Sequence, residues 1–210
     1  MVLVARTSSE VEGVAASIRA EGGIAHALAF DVADKEAIHR ISALAAGLVG
    51  PIDVLVHNAS SLGPVPMPLL LDTECEDLSA VIETNLIGPF RLTKAVAGSM
   101  VLRQRGVVVF VSSDAAVSAY PGWGSYGVSK AAADHLAKSF SAELADHGVR
   151  TFAVDPGEMD TAMHKAAIPD ADPATLARPA VVATALADMI LTPEAAKTGI
   201  RLIASEWRAA

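Results

Sequence analysis

The chain has 210 residues, 52% hydrophobic and only 4% aromatic, enough for a sizeable core in one domain spanning 1–210. Acidic side chains outnumber basic ones by 24 to 16, and the net charge of −8 argues against a nucleic-acid backbone or an anionic membrane as partner. The single cysteine, Cys75, excludes an internal disulfide and fits a reducing cytoplasm, and no apolar run approaches the roughly 18 residues of a membrane span.

In chain order, Val2–Ala5 reads as a strand ended by Arg6. Thr7 and Glu10 have the spacing of a capping box for a helix that stops at Gly22-Gly23. Ala25–Phe30 is a second strand, closed by Asp31-Val32, and Asp34 caps a helix carrying Ile38, Ile41, Leu44 and Leu48 at helical period. Ile52–Val56 is a third strand, followed by His57-Asn58-Ala59-Ser60 and a loop rich in Pro and Gly over 61–72. A long helical region over 74–103 holds Cys75, expected to be half-buried, and Asn85, with a bend predicted at Gly88-Pro89. The apolar run Val107–Val111 reads as a strand buried on both faces, with Ser112 and Ser113 at its end. An Ala-rich helix follows over 125–146, then a strand over Val149–Val154 ended by Asp155-Pro156-Gly157. A polar segment over 158–178, read as the substrate side, carries one short helix at most; Pro179–Leu191 is helical and Gly199–Ala204 is a last strand. Alternation of strands and helices predicts an α/β fold: a doubly wound, mostly parallel Rossmann-like sheet with helices on both faces. Ligands of such sheets bind beyond the carboxyl ends of the strands, where Arg6, Asp31, Asn58, Ser113 and Pro156-Gly157 all fall.

One stretch offers chemistry. Tyr126 and Lys130, four apart on a helix, share a face. An ammonium beside a phenol is expected to lower a pKa that starts near ~10, so that the tyrosine gives or takes a proton near neutral pH. Ser113 at the strand end can hydrogen-bond the same substrate oxygen. Gly122–Gly127 spells G-x-G-x-x-G but does not directly follow its strand, so it reads as a turn that positions Tyr126. The six histidines show no metal-ligand spacing. His57 reads as a strand-end residue filling a hydrogen bond, and His164 as a lid or surface residue.

Over essentially its whole length the sequence resembles the short-chain dehydrogenase/reductase family. Residues 112–130 resemble its Ser…Tyr-x-x-x-Lys block, which implies Tyr126 as proton donor or acceptor, Lys130 as its tuner and a ribose ligand, and Ser113 as the group that positions the substrate oxygen. Thr84-Asn85-Leu86 resembles the family's asparagine-bearing helix kink, so Asn85 would anchor a water in a proton relay. His57-Asn58-Ala59-Ser60 resembles the Asn-Asn-Ala-Gly turn on the adenosine side, with its first and last residues changed. Asp31-Val32 resembles the pair that brackets the adenine, and Pro156-Gly157 with Thr161 the segment along the nicotinamide. Arg6 stands where an NAD-dependent relative carries an acid; a cation there matches the 2′-phosphate of NADP, with NAD possible, and a solvent-facing arginine at a helix entrance is the alternative.

The resemblance also implies a first βα unit with a Gly-rich phosphate turn, of roughly 25–30 residues, before Met1. Its strand would lie between Val2–Ala5 and Ile52–Val56, and without it unpaired edges are expected unless the first strands shift to close the gap. A misassigned start and a real truncation are both open. The expected function is hydride transfer between NADP(H) and a small carbonyl or secondary alcohol by Ser113, Tyr126, Lys130 and Asn85. Leu62, Trp123, Met159 and Met163 suggest an apolar pocket wall. The alternatives are a cofactor-deficient, non-catalytic interaction protein descended from the family, and epimerase or lyase chemistry with the same tyrosine. The helices at 74–103 and 125–146 are expected to pack against a second copy, giving a dimer or tetramer.

Overall fold

A computed structural model describes residues 1–192 and 197–208. Six strands, β1 (Val2–Ala5), β2 (His26–Ala29), β3 (Val54–His57), β4 (Gly106–Val111), β5 (Val149–Asp155) and β6 (Arg201–Ile203), alternate with seven helices. The helices are α1 (Ser8–Ala20), α2 (Ile38–Val49), α3 (Cys75–Ile82), α4 (Gly88–Leu102), α5 (Gly124–Leu144), α6 (Ala162–Ala167) and α7 (Pro179–Leu191). Among the described residues every strand pairing is parallel. The ladder runs β3-β4-β5-β6, with Val54 opposite Val107 and Gly106 opposite Val149.

The side chains of the central strands alternate between two cores, as the period of two requires. Val108 and Phe110 of β4 and Val149 and Ala153 of β5 pack with α2, α4 and α5 (Ile38, Ile41, Leu92, Met100, Ala137, Phe140). Val109, Phe152 and Val154 face the other way, onto Met189 of α7, Ala204 and Trp207. Phe110 and Phe152 are 2% and 0% exposed, and burial of each contributes about 1.5–3 kcal/mol. This two-sided burial explains the unbroken apolar run of β4.

The sheet is in two pieces. β1 and β2 pair with each other, Val2 opposite His26, but among the described residues no ladder joins this pair to β3-β4-β5-β6. Packing joins them instead: Val4 and Phe30 reach the same core as Leu55. The interruption falls between the two strands predicted to flank a gap, and the first strands have not shifted to close it. Val54 and Val56 on β3 are left 41% and 38% exposed.

Several local expectations fail. Thr7 caps α1 without a side-chain hydrogen bond, so the capping box does not form. Asp34 instead closes a turn on the Glu36 N–H at 2.9 Å, and α2 starts at Ile38. His57 belongs to β3, opposite Phe110. Cys75 opens α3 and is exposed rather than half-buried. The helix distortion comes ahead of Gly88-Pro89: residues Glu83–Ile87 form a π-type turn with Asn85 inside it.

Candidate active site

Four chain segments converge beyond the carboxyl ends of β3, β4 and β5. β4 hands its register to Ser112, whose N–H donates to the Val154 carbonyl at 2.7 Å. The chain then turns into a short 3-10 segment, Asp114–Ala116, with Ser113 as its cap: Ser113 Oγ accepts the Ala115 N–H at 3.2 Å. The start of α5 lies directly against this turn. A Cβ on Gly127 would stand 2.8 Å from the Ala115 carbonyl oxygen, so only glycine lets helix and turn come this close. The approach sets Tyr126 beside Ser113, and the Ser113 and Ser60 hydroxyls both act on its phenol. The glycines of 122–127 therefore serve close packing.

Tyr126 is 8% exposed, with Trp123 edge-on to its ring at 5.8 Å. The expected lowering of its pKa is not what this arrangement gives. Burial, the largest effect, pushes the phenol above 10; the neighbouring Ser113 and Ser60 hydroxyls pull it down, and Asp114 and Asp155 push it up. Lys130 does not touch the phenol oxygen. Its ammonium donates to the Val111 carbonyl at 2.8 Å and lies 5.5 Å from the centroid of the Tyr126 ring. Burial lowers the Lys130 pKa to about 8, against which the Asp134 carboxylate acts.

Behind these groups is a buried ion network. Arg201 of β6 donates from Nε to Asp134 Oδ2 at 3.1 Å, and from Nη2 to Asp155 Oδ2 at 2.7 Å and to the Ser113 carbonyl at 2.9 Å. Burial raises the pKa of Asp134; the Ser112 hydroxyl and the Arg201 guanidinium oppose it. Asp155 Oδ1 accepts the Gly157 N–H at 2.9 Å, and with Gly157 at φ 72° this turns the Pro156-Gly157 segment out of β5. One guanidinium thus braces α5 and the ends of β4 and β5.

Asn85 uses all four of its side-chain bonds. Oδ1 accepts from the Ser61 N–H (2.7 Å) and Ser60 (3.2 Å), and Nδ2 donates to the Ser61 carbonyl (2.9 Å) and Ser129 (2.9 Å). It ties the segment after β3 to α5. His57 is a packing residue: its Nε2 lies 2.7 Å from Thr93 Oγ1, and full burial drops its pKa to about 3.

A cavity of about 480 Å³ opens over this ground. Ser113, Tyr126, Lys130, Asn58, Pro156, Gly157 and Thr161 all line it, and Leu62, Trp123, Met159 and Met163 form apolar wall. Arg6, Asp31, Val32 and Ala59 do not. Arg6 is exposed at the end of β1, and Asp31 closes a turn on the Ala33 N–H at 2.8 Å. At the chemical end the residues therefore fit a nicotinamide and its ribose. Of the turn expected on the adenosine side, Asn58 and Ser60 join that cavity and Ala59 does not.

Three participants escape motif reading. Gly127 was visible only as part of a phosphate-loop look-alike. Asp134, four beyond Lys130, carries the same helix-face signal as Tyr126 and Lys130 and was legible in principle. Arg201 has no local signal, since it meets Asp134 across 67 positions.

A family model described as short chain dehydrogenase matches residues 1–172. The chain belongs to the short chain dehydrogenase family. Among curated relatives, a 3-oxoacyl-[acyl-carrier-protein] reductase of Synechocystis sp. is 36% identical over 163 residues, covering 78% of this chain and 65% of the relative. A 2,3-dihydro-2,3-dihydroxybenzoate dehydrogenase of Bacillus subtilis is 37% identical over 154 residues, 73% of this chain and 58% of the relative. The chain thus spans between about half and two thirds of the length of such relatives. The fold matches a gluconate 5-dehydrogenase from Burkholderia cenocepacia, solved with NADP and tartrate, with a TM-score of 0.83 and 25% identity, covering 96% of this chain and 82% of that one. A short chain dehydrogenase fold of parallel strands with helices on both faces accounts for the alternation in the sequence.

Proposed function

We propose that the protein transfers a hydride between NADP(H) and a small carbonyl compound or secondary alcohol. The observation that carries this reading is that Ser113, Tyr126 and Lys130 line one cavity beyond the strand ends. Ser113 holds the substrate oxygen. Tyr126, kept protonated at rest by burial, gives that oxygen a proton as the carbonyl is reduced and takes one as the alcohol is oxidised. Lys130 sets a cation at the ring, which stabilises the phenolate that proton donation leaves. Asn85 acts by holding the segment after β3 against α5. When bound, the nicotinamide supplies or takes the hydride. Lys130, Pro156, Gly157 and Thr161 are the residues for its ring and ribose, with Asn58, Ala59, Arg6, Asp31 and Val32 for the adenosine half. The exposed Arg6 cation favours a 2′-phosphate, and the related gluconate 5-dehydrogenase was solved with NADP. Arg6→Ala should weaken NADP binding and spare NAD. Phe90 on α4 and Val128 on α5 are 39% and 55% exposed, which supports packing against a second copy; light scattering that gives a monomer refutes it. A cytoplasmic setting is supported by Cys75, the single, exposed cysteine.

Tyr126→Phe tests the mechanism. Turnover should fall by about 10²-fold or more with the fold retained by circular dichroism. A Tyr126→Phe protein with undiminished turnover rules the mechanism out. Absence of turnover together with absence of an NADPH fluorescence change points instead to a non-catalytic member of the family.

A further inference from the structure

The residue after Ser113 is a carboxylate inside the same cavity. Asp114 is exposed, and Oδ1 accepts the Ser113 hydroxyl at 3.0 Å and the Ala115 N–H at 2.8 Å. Oδ2 accepts the Tyr120 hydroxyl at 2.9 Å, and Tyr120 also lines the cavity. The Ser113 hydroxyl has one proton, so when it turns to a reacting oxygen Oδ1 loses that donor and regains an acceptor site. The position of that site relative to the chemistry follows from two bonds. A reacting oxygen held by Ser113 stands roughly 2.7 Å from Oγ, and the Asp114 carboxylate begins 3.0 Å beyond. The carboxylate is thus within about 6 Å of the reacting oxygen, a span that a hydroxyl on the adjacent carbon covers with one further hydrogen bond of roughly 2.7 Å.

The cavity wall has a matching charge. Asp114 and Glu158 both line it, while the one ammonium, on Lys130, donates to the Val111 carbonyl. An anionic substituent on the substrate meets two carboxylates, and the basic side chains among the described lining residues, Lys130 and His164, face the Val111 carbonyl and, at 3.9 Å, Glu158 Oε2. A donor O–H meets an acceptor.

We infer that the substrate is uncharged and carries a hydroxyl on the carbon next to the one that reacts, as in a vicinal diol or an α-hydroxy carbonyl, and that Asp114 binds that second hydroxyl. The inference rests on the hydride-transfer reading for its account of which oxygen Ser113 holds. Asp114 makes the site a reader of hydroxyl donors, and its neighbour Tyr120 fixes the carboxylate plane.

The test compares 2,3-butanediol, 2-butanol and 2-hydroxybutyrate, with NADP+, on the wild-type chain, Asp114→Ala and Asp114→Asn. Wild type should show kcat/KM highest for the diol and lowest for the hydroxy acid. The diol-to-butanol ratio should fall by about tenfold or more in Asp114→Ala, because a hydrogen bond to a charged group is lost. Asp114→Asn, which keeps the side-chain shape, should relax the discrimination against 2-hydroxybutyrate, and it carries the test if the alanine variant does not fold. Saturation-transfer NMR of 2,3-butanediol reads binding without turnover, and its signal should disappear in Asp114→Ala and persist in Tyr126→Phe. Turnover of all three compounds with a ratio that Asp114 does not move overturns the inference and leaves hydride transfer standing. No turnover of any compound, with a diol signal that depends on Asp114, overturns hydride transfer and supports the hydroxyl site. No diol signal on the wild-type chain overturns the site.

Discussion

Gly127→Ala probes whether the approach of α5 to the 3-10 turn sets the chemistry. The added Cβ would stand 2.8 Å from the Ala115 carbonyl oxygen, about 0.6 Å inside ordinary contact at 3.4 Å. The α5 backbone is held by its own hydrogen bonds over 21 residues, so the short turn must yield. Ser113 is two residues from Ala115, and a shift on the order of 0.5 Å reaches it. Misplacement by 1 Å costs roughly 10²-fold in rate, so kcat should drop about tenfold. Stability alone is a poor readout, because alanine in a helix returns up to about 1 kcal/mol. A second readout is the phenol itself. The chain has two tyrosines, so Tyr120→Phe leaves Tyr126 alone to titrate in the ultraviolet. The Ser113 hydroxyl beside the phenol holds the Tyr126 pKa down, so moving it away should raise the titration midpoint. Gly98→Ala is the control: a Cβ there meets nothing within 4 Å, and it should raise Tm by about 2–4 °C with turnover intact. Gly127→Ala with full turnover and an unmoved titration would refute the argument.

The pH dependence of stability should carry the mark of His57. Its folded pKa of about 3 lies below the unfolded 6.5, so the unfolded chain takes up the proton first and stability falls as pH drops below 6.5, by roughly 1.4 kcal/mol per unit. His57→Gln should flatten that slope in urea titrations at pH 7 and pH 5.5; an unchanged slope removes His57 as the cause. Arg201→Met strands Asp134 and Asp155 as buried carboxylates and should cost about 3–5 kcal/mol at pH 7, less in acid as Asp134, whose pKa burial raises, takes up a proton. A loss below 1 kcal/mol in urea would show that the network does not brace the fold. Turnover should decline as pH rises through about 8, where the Lys130 ammonium loses its proton. Asp134→Asn removes the charge that raises this pKa, so the alkaline limb should move to lower pH; a fixed limb assigns it to another group.

What the sequence made legible was whatever depends on neighbours in the chain. The bounds of α7, Pro179–Leu191, are those predicted, because a proline opens the helix and apolar period carries it. β4 was legible from its β-branched run. Ser113, Tyr126 and Lys130 do converge, because one strand end and one helix start suffice to bring them together. What was illegible depends on distance and burial. Asn85 was legible as a kink, but not that its amide would be consumed by residues 24 and 44 positions away. Two residues on one helix face predicted a Lys–phenol pair, whereas the strand end supplied the Val111 carbonyl as a competing acceptor and burial reversed the sign of the Tyr126 shift. Cys75 is exposed because the first turn of α3 points to solvent, which a helical period cannot assign for a single residue.

The break between the two sheets divides the molecule's cooperativity. No backbone hydrogen bonds of a ladder connect β1-β2 to β3 among the described residues; side-chain packing, Val4 and Phe30 included, links them. Opening β1-α1-β2 therefore breaks none of the bonds that hold Ser113, Tyr126 and Lys130. Amide protons of Val2–Ala5 and His26–Ala29 should exchange with solvent through a sub-global opening well before those of β4 and β5. The half of the fold that carries Arg6 and Asp31 can fray while the half that carries the tyrosine stays closed.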